Sequence, residues 1–306
     1  MVISIKTELK TWFLTGRAIL LLVFVLITYI GFSLSSLFSL IIVFGEFSYT
    51  EYRISDDKMM EEKLQEPLFD SNGDINTLLQ NKLMMEEILF TLSPDNAFVM
   101  CEEVGLYLLP LILSIIGALT VCKDQSSNVM RIRVSREGKW RYLLAKQLAM
   151  ILISVGLIFL AILLYKGISK SIFDHAASFV TSKYIDTSGT GSFDFTNGPL
   201  RIAFFILFII LFLEIGFCLG YISKTPIVPI VIVGFFWYFN LLPTFYEPRN
   251  ALYNLAMRLF VFVGKIPNGI TSEISLFSAI LIVLLMLFTP FGGMLYFWNK
   301  RSAYNK

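Results

Sequence analysis

The chain has 306 residues, 56% hydrophobic and 16% charged, with 29 phenylalanines, a mean hydropathy of +0.71 and a formal net charge of +2. A soluble domain carries about a quarter charged residues, so this composition excludes an ordinary soluble protein and indicates an integral membrane protein. The three cysteines, Cys101, Cys122 and Cys218, fall in separate segments, and their spacing supports neither a CxxC metal motif nor a disulfide framework.

Residues 1–17 place Val2, Ile5, Leu9, Trp12 and Phe13 at roughly helical spacing, opposed by Lys6 and Lys10. That pattern suits a short interfacial helix on the cytoplasmic membrane surface, with a plain basic tail as the alternative. A hydrocarbon core of about 30 Å takes about 20 apolar residues of helix. Six stretches meet that requirement: 18–45, 104–121, 147–165, 202–223, 226–245 and 274–298. The expected fold is therefore all-α, a polytopic membrane protein with six transmembrane helices. The first stretch is too long for the apolar region of a signal peptide and lacks a small-residue cleavage site, so it is expected to be retained.

Charge sets the orientation, since Lys and Arg near span ends favour the cytoplasmic side. The tail with Lys6, Lys10 and Arg17, the loop at 122–146, Lys224 and the C-terminal 299–306 all fall on one side of a six-span thread. Both termini are accordingly expected in the cytoplasm. Residues 46–103 carry fourteen acids against four bases and fall outside. They are more than a connection needs, and residues 76–92 have helical spacing, with a turn at Asn72-Gly73-Asp74 before them and Pro94 after. A helical extracellular insertion is expected there. Its negative field could concentrate a cationic peptide, or it could be no more than a solvated surface.

The missing chemistry narrows the function. No GxxxxGK[ST] occurs, and "REGKW" at 136–140 lacks the glycine and hydroxyl of a phosphate loop, so the chain is not expected to hydrolyse ATP or to be an enzyme. His175 is the one histidine and reads as a solvated loop residue, and no metal or cofactor site is expected in the chain. Glu214 interrupts the fourth span. It is a candidate for the translocation path, or else makes an internal hydrogen bond or helix contact.

The stretch 121–148 holds seven Lys or Arg against two acids between two apolar runs. Charge alone says that it orients the chain and sits near anionic headgroups. Its order of residues, with Asp124 at the start, Ser135-Arg136 in "RVSRE" and Lys146 in "LLAKQL", together with six spans and cytoplasmic termini, resembles the permease subunits of ABC-2 type (type V exporter-like) ABC transporters. Ser127-Asn128 stands where that family commonly has Gly-Thr, and no proline precedes Ser135. The resemblance implies that 122–146 contains a coupling helix that docks on a cytoplasmic ATPase subunit, present in two copies and binding ATP and Mg. Asp124, Arg131, Arg133, Ser135, Arg136, Lys139 and Arg141 would be the docking residues, with charge-assisted pairs to acids of the partner. A second permease copy, or a related permease, completes the path within the lipid bilayer, and no nucleic acid is involved.

The resemblance also implies that 246–273 forms extracellular re-entrant half-helices, with an ordinary outer loop as the alternative. The expected location is a bacterial plasma membrane, multi-pass, and the direction export, with a peptide or amphipathic molecule as cargo. Two other classes fit the composition. One is a non-transporting sensor or immunity protein that binds a peptide through its acidic outer segment, and the other is an ion-coupled secondary carrier.

Overall fold

The computed structural model describes residues 2–54, 56–69, 75–126, 129–188, 198–238, 247–259 and 274–303. Among them the chain is all-helical: α1 (Val2–Leu14), α2 (Arg17–Ile54), α3 (Asp57–Gln65), α4 (Thr77–Leu92), α5 (Ala97–Ser126), α6 (Val129–Glu137), α7 (Lys139–Phe179), α8 (Gly198–Ser223), α9 (Ile227–Tyr238), α10 (Pro248–Leu259) and α11 (Leu276–Ala303). Five of these, α2, α5, α7, α8 and α11, are long and apolar enough to cross a membrane. At 1.5 Å per residue, the 38 residues of α2 reach roughly 57 Å and the 41 of α7 roughly 62 Å. Both run well beyond a bilayer core and beyond the apolar windows at 18–45 and 147–165.

The expected span at 226–245 is described only as α9, 12 residues long and too short to cross by itself, and 239–246 lie outside the described residues. Within 246–273, where half-helices are expected, α10 is described. It is a polar helix whose buried side includes Asn250, Tyr253 and Asn254, while 260–273 lie outside the described residues. The turn at 72–74 is likewise outside them.

The chain divides into two compact units. The first comprises Met1–Val25, Glu102–Ala161 and Phe195–Lys306. Its centre is a close pairing of α5 with α8. Each of Gly117, Gly216 and Gly220 sits where an added Cβ would strike backbone of the facing helix: Gly117 against Leu213 and Phe217, Gly216 against Ser114, Gly220 at 2.7 Å from the Cα of Ala118. Small residues let membrane helices approach this closely, and dispersion then does what hydrophobicity cannot do between lipid-soluble surfaces. Two side chains cross the seam to backbone carbonyls. The Cys122 thiol donates to the Gly220 oxygen (3.4 Å), and Gln125 Nε2 donates to that of Tyr221 (3.1 Å). Pro110 lies inside α5 and cannot donate to the carbonyl one turn before it. One residue later, the Tyr107 carbonyl accepts from both Trp237 Nε1 and the Tyr238 hydroxyl at 3.0 Å, which ties α9 to α5.

The second unit comprises Leu26–Cys101 and Ile162–Asp194. Its apolar core joins Leu40, Val43 and Phe47 of α2 to Met60 of α3, to Met85 and Leu89 of α4, and to Ala176 and Val180. Asn76 starts α4 by accepting from the Leu79 amide (3.2 Å), and its amide nitrogen donates to the Lys63 carbonyl (2.7 Å), so one side chain caps α4 and holds α3. Asp57 accepts from Lys183 Nζ (2.7 Å) and from the Tyr184 hydroxyl (2.9 Å). These two partners, Lys183 foremost, hold its carboxyl below the ordinary value of 3.8. Deeper in the unit the Ser33 and Tyr165 hydroxyls bond to each other beside the tilted Tyr29–Tyr165 ring pair.

Candidate functional site

The basic stretch becomes one short helix and the opening turns of a long one. Gly138 adopts φ +85°, a conformation that strains any residue with a Cβ, and its amide donates to the Val134 carbonyl (3.0 Å). α6 therefore ends on a left-handed glycine cap, and α7 starts immediately afterwards. This tight corner folds α6 back against the start of α7.

The inward side of the corner is a buried ionic cluster. Asp124, at the end of α5, accepts from the Tyr142 hydroxyl (2.7 Å) and from Lys146, which is only 1% exposed. Lys146 also lies 3.8 Å from Glu8 of α1. Glu8 pairs with Arg133, and Arg133 Nε donates to Glu137 (3.2 Å) while its guanidinium lies over the Tyr142 ring. Burial works against the charge of Arg133, but Glu8 and Glu137 outweigh it and raise its pKa. The Ser4 hydroxyl first, and Arg133 with it, hold the Glu137 carboxyl below its usual range. Two bases, Arg133 and Lys146, thus meet the three acids Glu8, Asp124 and Glu137, and buried Arg17 lies in the field of Asp124 and Glu8. Removing one partner from a buried pair costs about 3–5 kcal/mol, so this cluster fixes the relative placement of α1, α5, α6 and α7.

The predicted docking residues thus separate into two sets. Asp124 and Arg133 are consumed internally and have little left to offer a partner. The Ser135 hydroxyl donates to the Ile132 carbonyl of its own helix (2.8 Å). Arg131 belongs to α6, and its side chain lies outside the described residues. Arg136, Lys139 and Arg141 are exposed, together with the apolar Ile132 and Trp140. The outward face of the corner is therefore cationic with apolar contacts between the charges.

Glu214 does not stand alone, because its Oε2 accepts from Gln147 Nε2 of α7 (2.7 Å). A further node joins α8 to α5. Arg201, 2% exposed, donates to Glu102 and to Glu103 (3.0 Å to the latter). The sequence reading missed Glu8 and Arg201 as partners, although each carried a signal. Glu8 is the lone acid in a basic tail, and Arg201 is a lone base at the head of an apolar span, matching the acid pair at the head of another. Among the described residues no group of three His, Cys, Asp or Glu is arranged to hold a metal ion.

Fold and site together define a chain that is all-helical among the described residues, with several helices able to span a membrane and a polar, internally braced corner joining two of them. No protein-family model, curated protein or solved structure matches it.

Proposed function

We propose that the chain is the membrane subunit of an ATP-driven exporter of the ABC-2 type. It forms the translocation path and takes its energy from a separate ATPase subunit, present in two copies, which binds the ATP and Mg. The observation that carries this reading is the α6–α7 corner, where Arg136, Lys139, Arg141, Ile132 and Trp140 are exposed on an element braced from behind by Glu8, Asp124 and Lys146. A transmission element needs this combination. It needs a surface that a partner can grip through charge-assisted pairs and apolar contact, and a rigid back that carries displacement into the spans rather than bending.

The reading includes six spans, both termini and α6 on the cytoplasmic side of a bacterial plasma membrane, and the acidic 46–103 segment outside. It includes a second permease as partner in the bilayer and an amphipathic molecule or peptide as cargo. Alternating access would come from closure of the ATPases, conveyed through the corner. Glu214, bonded to Gln147, is assigned to a helix contact that the path can reach from its partly exposed side.

The test is affinity purification of the full chain from native membranes, with ATP turnover and mass spectrometry on the eluate. The wild type is expected to bring down an ATPase subunit. Arg136→Glu/Lys139→Glu/Arg141→Glu, which leaves the internal cluster intact, is expected to lose at least about tenfold of it, in line with charge pairs worth 1.4 kcal/mol or more in sum. Absence of any ATPase from the wild-type eluate, or equal recovery with the triple variant, refutes the reading.

A further inference from the structure

The structure divides the apolar positions of α1 between two sides, with Trp12 turned inward and Phe13 outward. Trp12 is 0% exposed and Glu8 is buried with it, so this side of the helix packs on protein. The outward side carries Lys6, Lys10, Phe13 and Leu14, which at 3.6 residues per turn share an arc of about 100°. Phe13 is 59% and Leu14 76% exposed, and neither lysine makes a hydrogen bond or ion pair among the described residues.

We propose that this face binds anionic phospholipid headgroups. α1 joins α2, one of the helices able to cross a membrane, through only Thr15 and Gly16, the latter at φ +72°. One end of α1 is therefore held at the bilayer surface by the covalent chain. Along the outward face, polarity rises with distance from the span. Phe13 and Leu14 sit at the end joined to the span, where acyl chains begin, and Lys10 and then Lys6 lie further back. Lys6 and Leu14 are separated by roughly 12 Å along the axis, so both ammonium groups lie within about two turns of the apolar end. Two ammonium groups one turn apart attract lipids of net negative charge over zwitterionic ones. The opposite face is pinned by Glu8 to Arg133 and Lys146, so the lysines stay turned outward. An acidic protein surface would satisfy the lysines but would leave the exposed apolar end with no reason to sit beside the span. This inference stands independently of the exporter reading.

The experiment is native mass spectrometry of the full chain with equimolar phosphatidylglycerol and phosphatidylcholine, alongside spin-label accessibility at Leu14→Cys in nanodiscs of the same lipids. Phosphatidylglycerol should be retained over phosphatidylcholine. Lys6→Gln/Lys10→Gln should reduce that preference about fivefold or more, as expected for two removed charges, while Lys6→Arg/Lys10→Arg and Lys58→Gln keep it. The label should be more accessible to oxygen than to a nickel chelate. Equal retention of the two lipids by the wild type, or an unchanged preference in the Gln pair, overturns the proposal. So does a label open to nickel in the nanodisc and protected only after a soluble protein partner is added.

Discussion

Gly216→Ala tests how closely α5 and α8 meet. An added Cβ would overlap the carbonyl, Cα and carbonyl carbon of Ser114, all backbone atoms that no rotamer change can move aside. The helices must then separate by about 1.3 Å for the contact to the Ser114 oxygen to open to the 3.4 Å at which ordinary van der Waals distances begin. Overpacking of this kind costs about 1–3 kcal/mol, and the separation also weakens the Cys122–Gly220 and Gln125–Tyr221 bonds across the seam. Alanine's better helix propensity returns up to about 1 kcal/mol, which leaves a net loss of about 1–2 kcal/mol with the weakened bonds included. At roughly 2–4 °C per kcal/mol, the melting temperature should fall by several degrees. All three cysteines are free and buried, so a thiol-reactive fluorophore reports unfolding without any added label. Gly117→Ala/Gly216→Ala should lose less than the sum of its parts, because one separation accommodates both methyls. Gly292→Ala, with nothing within 4 Å of its Cβ, should not lower the transition. If Gly216→Ala melts at or above wild type in detergent, backbone contact does not set the spacing of these helices.

Arg201→Met strands Glu102 and Glu103 without their shared cation and should destabilise the chain by about 3–5 kcal/mol in the same thiol assay. Arg201→Met/Glu102→Gln/Glu103→Met should recover most of that loss, and failure to recover would mean that the arginine's role is not charge compensation. Acidification should loosen the Asp57 contact. Its carboxyl is held below 3.8, so the stabilisation is present above that value and disappears as pH falls through the lowered one. Protection factors of the amides around Lys183 and Tyr184, taken against their intrinsic exchange rates, should therefore fall below about pH 4 in the wild type. Asp57→Asn should show the low protection factors at every pH, and a pH dependence of protection that survives the substitution would remove Asp57 as its source.

The sequence made some of this architecture legible. Hydropathy located the apolar middles of α2, α5, α7, α8 and α11, because lipid-facing and core-facing positions in a bilayer are alike apolar. It could not locate their ends. Helices continue through Glu46, Glu51, Lys166 and Lys170, since hydropathy reports solubility in lipid whereas helicity needs only backbone bonds and tolerant side chains. α4 was readable almost to the residue, because Asn76 and Pro94 are local signals that act within one turn. The site was readable in part. Charge density drew attention to Arg136, Lys139 and Arg141, and they are exposed. Asp124 and Arg133 looked the same in composition but are committed to Lys146, Tyr142 and Glu8. Nothing local separates a charge that meets a partner 125 residues away from one that meets solvent.

That separation has a consequence for biogenesis. Glu8 emerges from the ribosome long before Arg133 and Lys146 exist, and at about 5–20 residues per second the wait is on the order of ten seconds. During that interval the first helix lacks its ionic partners. A helix with two lysines and two large apolar side chains on its outward face has somewhere to rest meanwhile, at the lipid surface beside its own span. α6 and α7 then arrive at an α1 already in place.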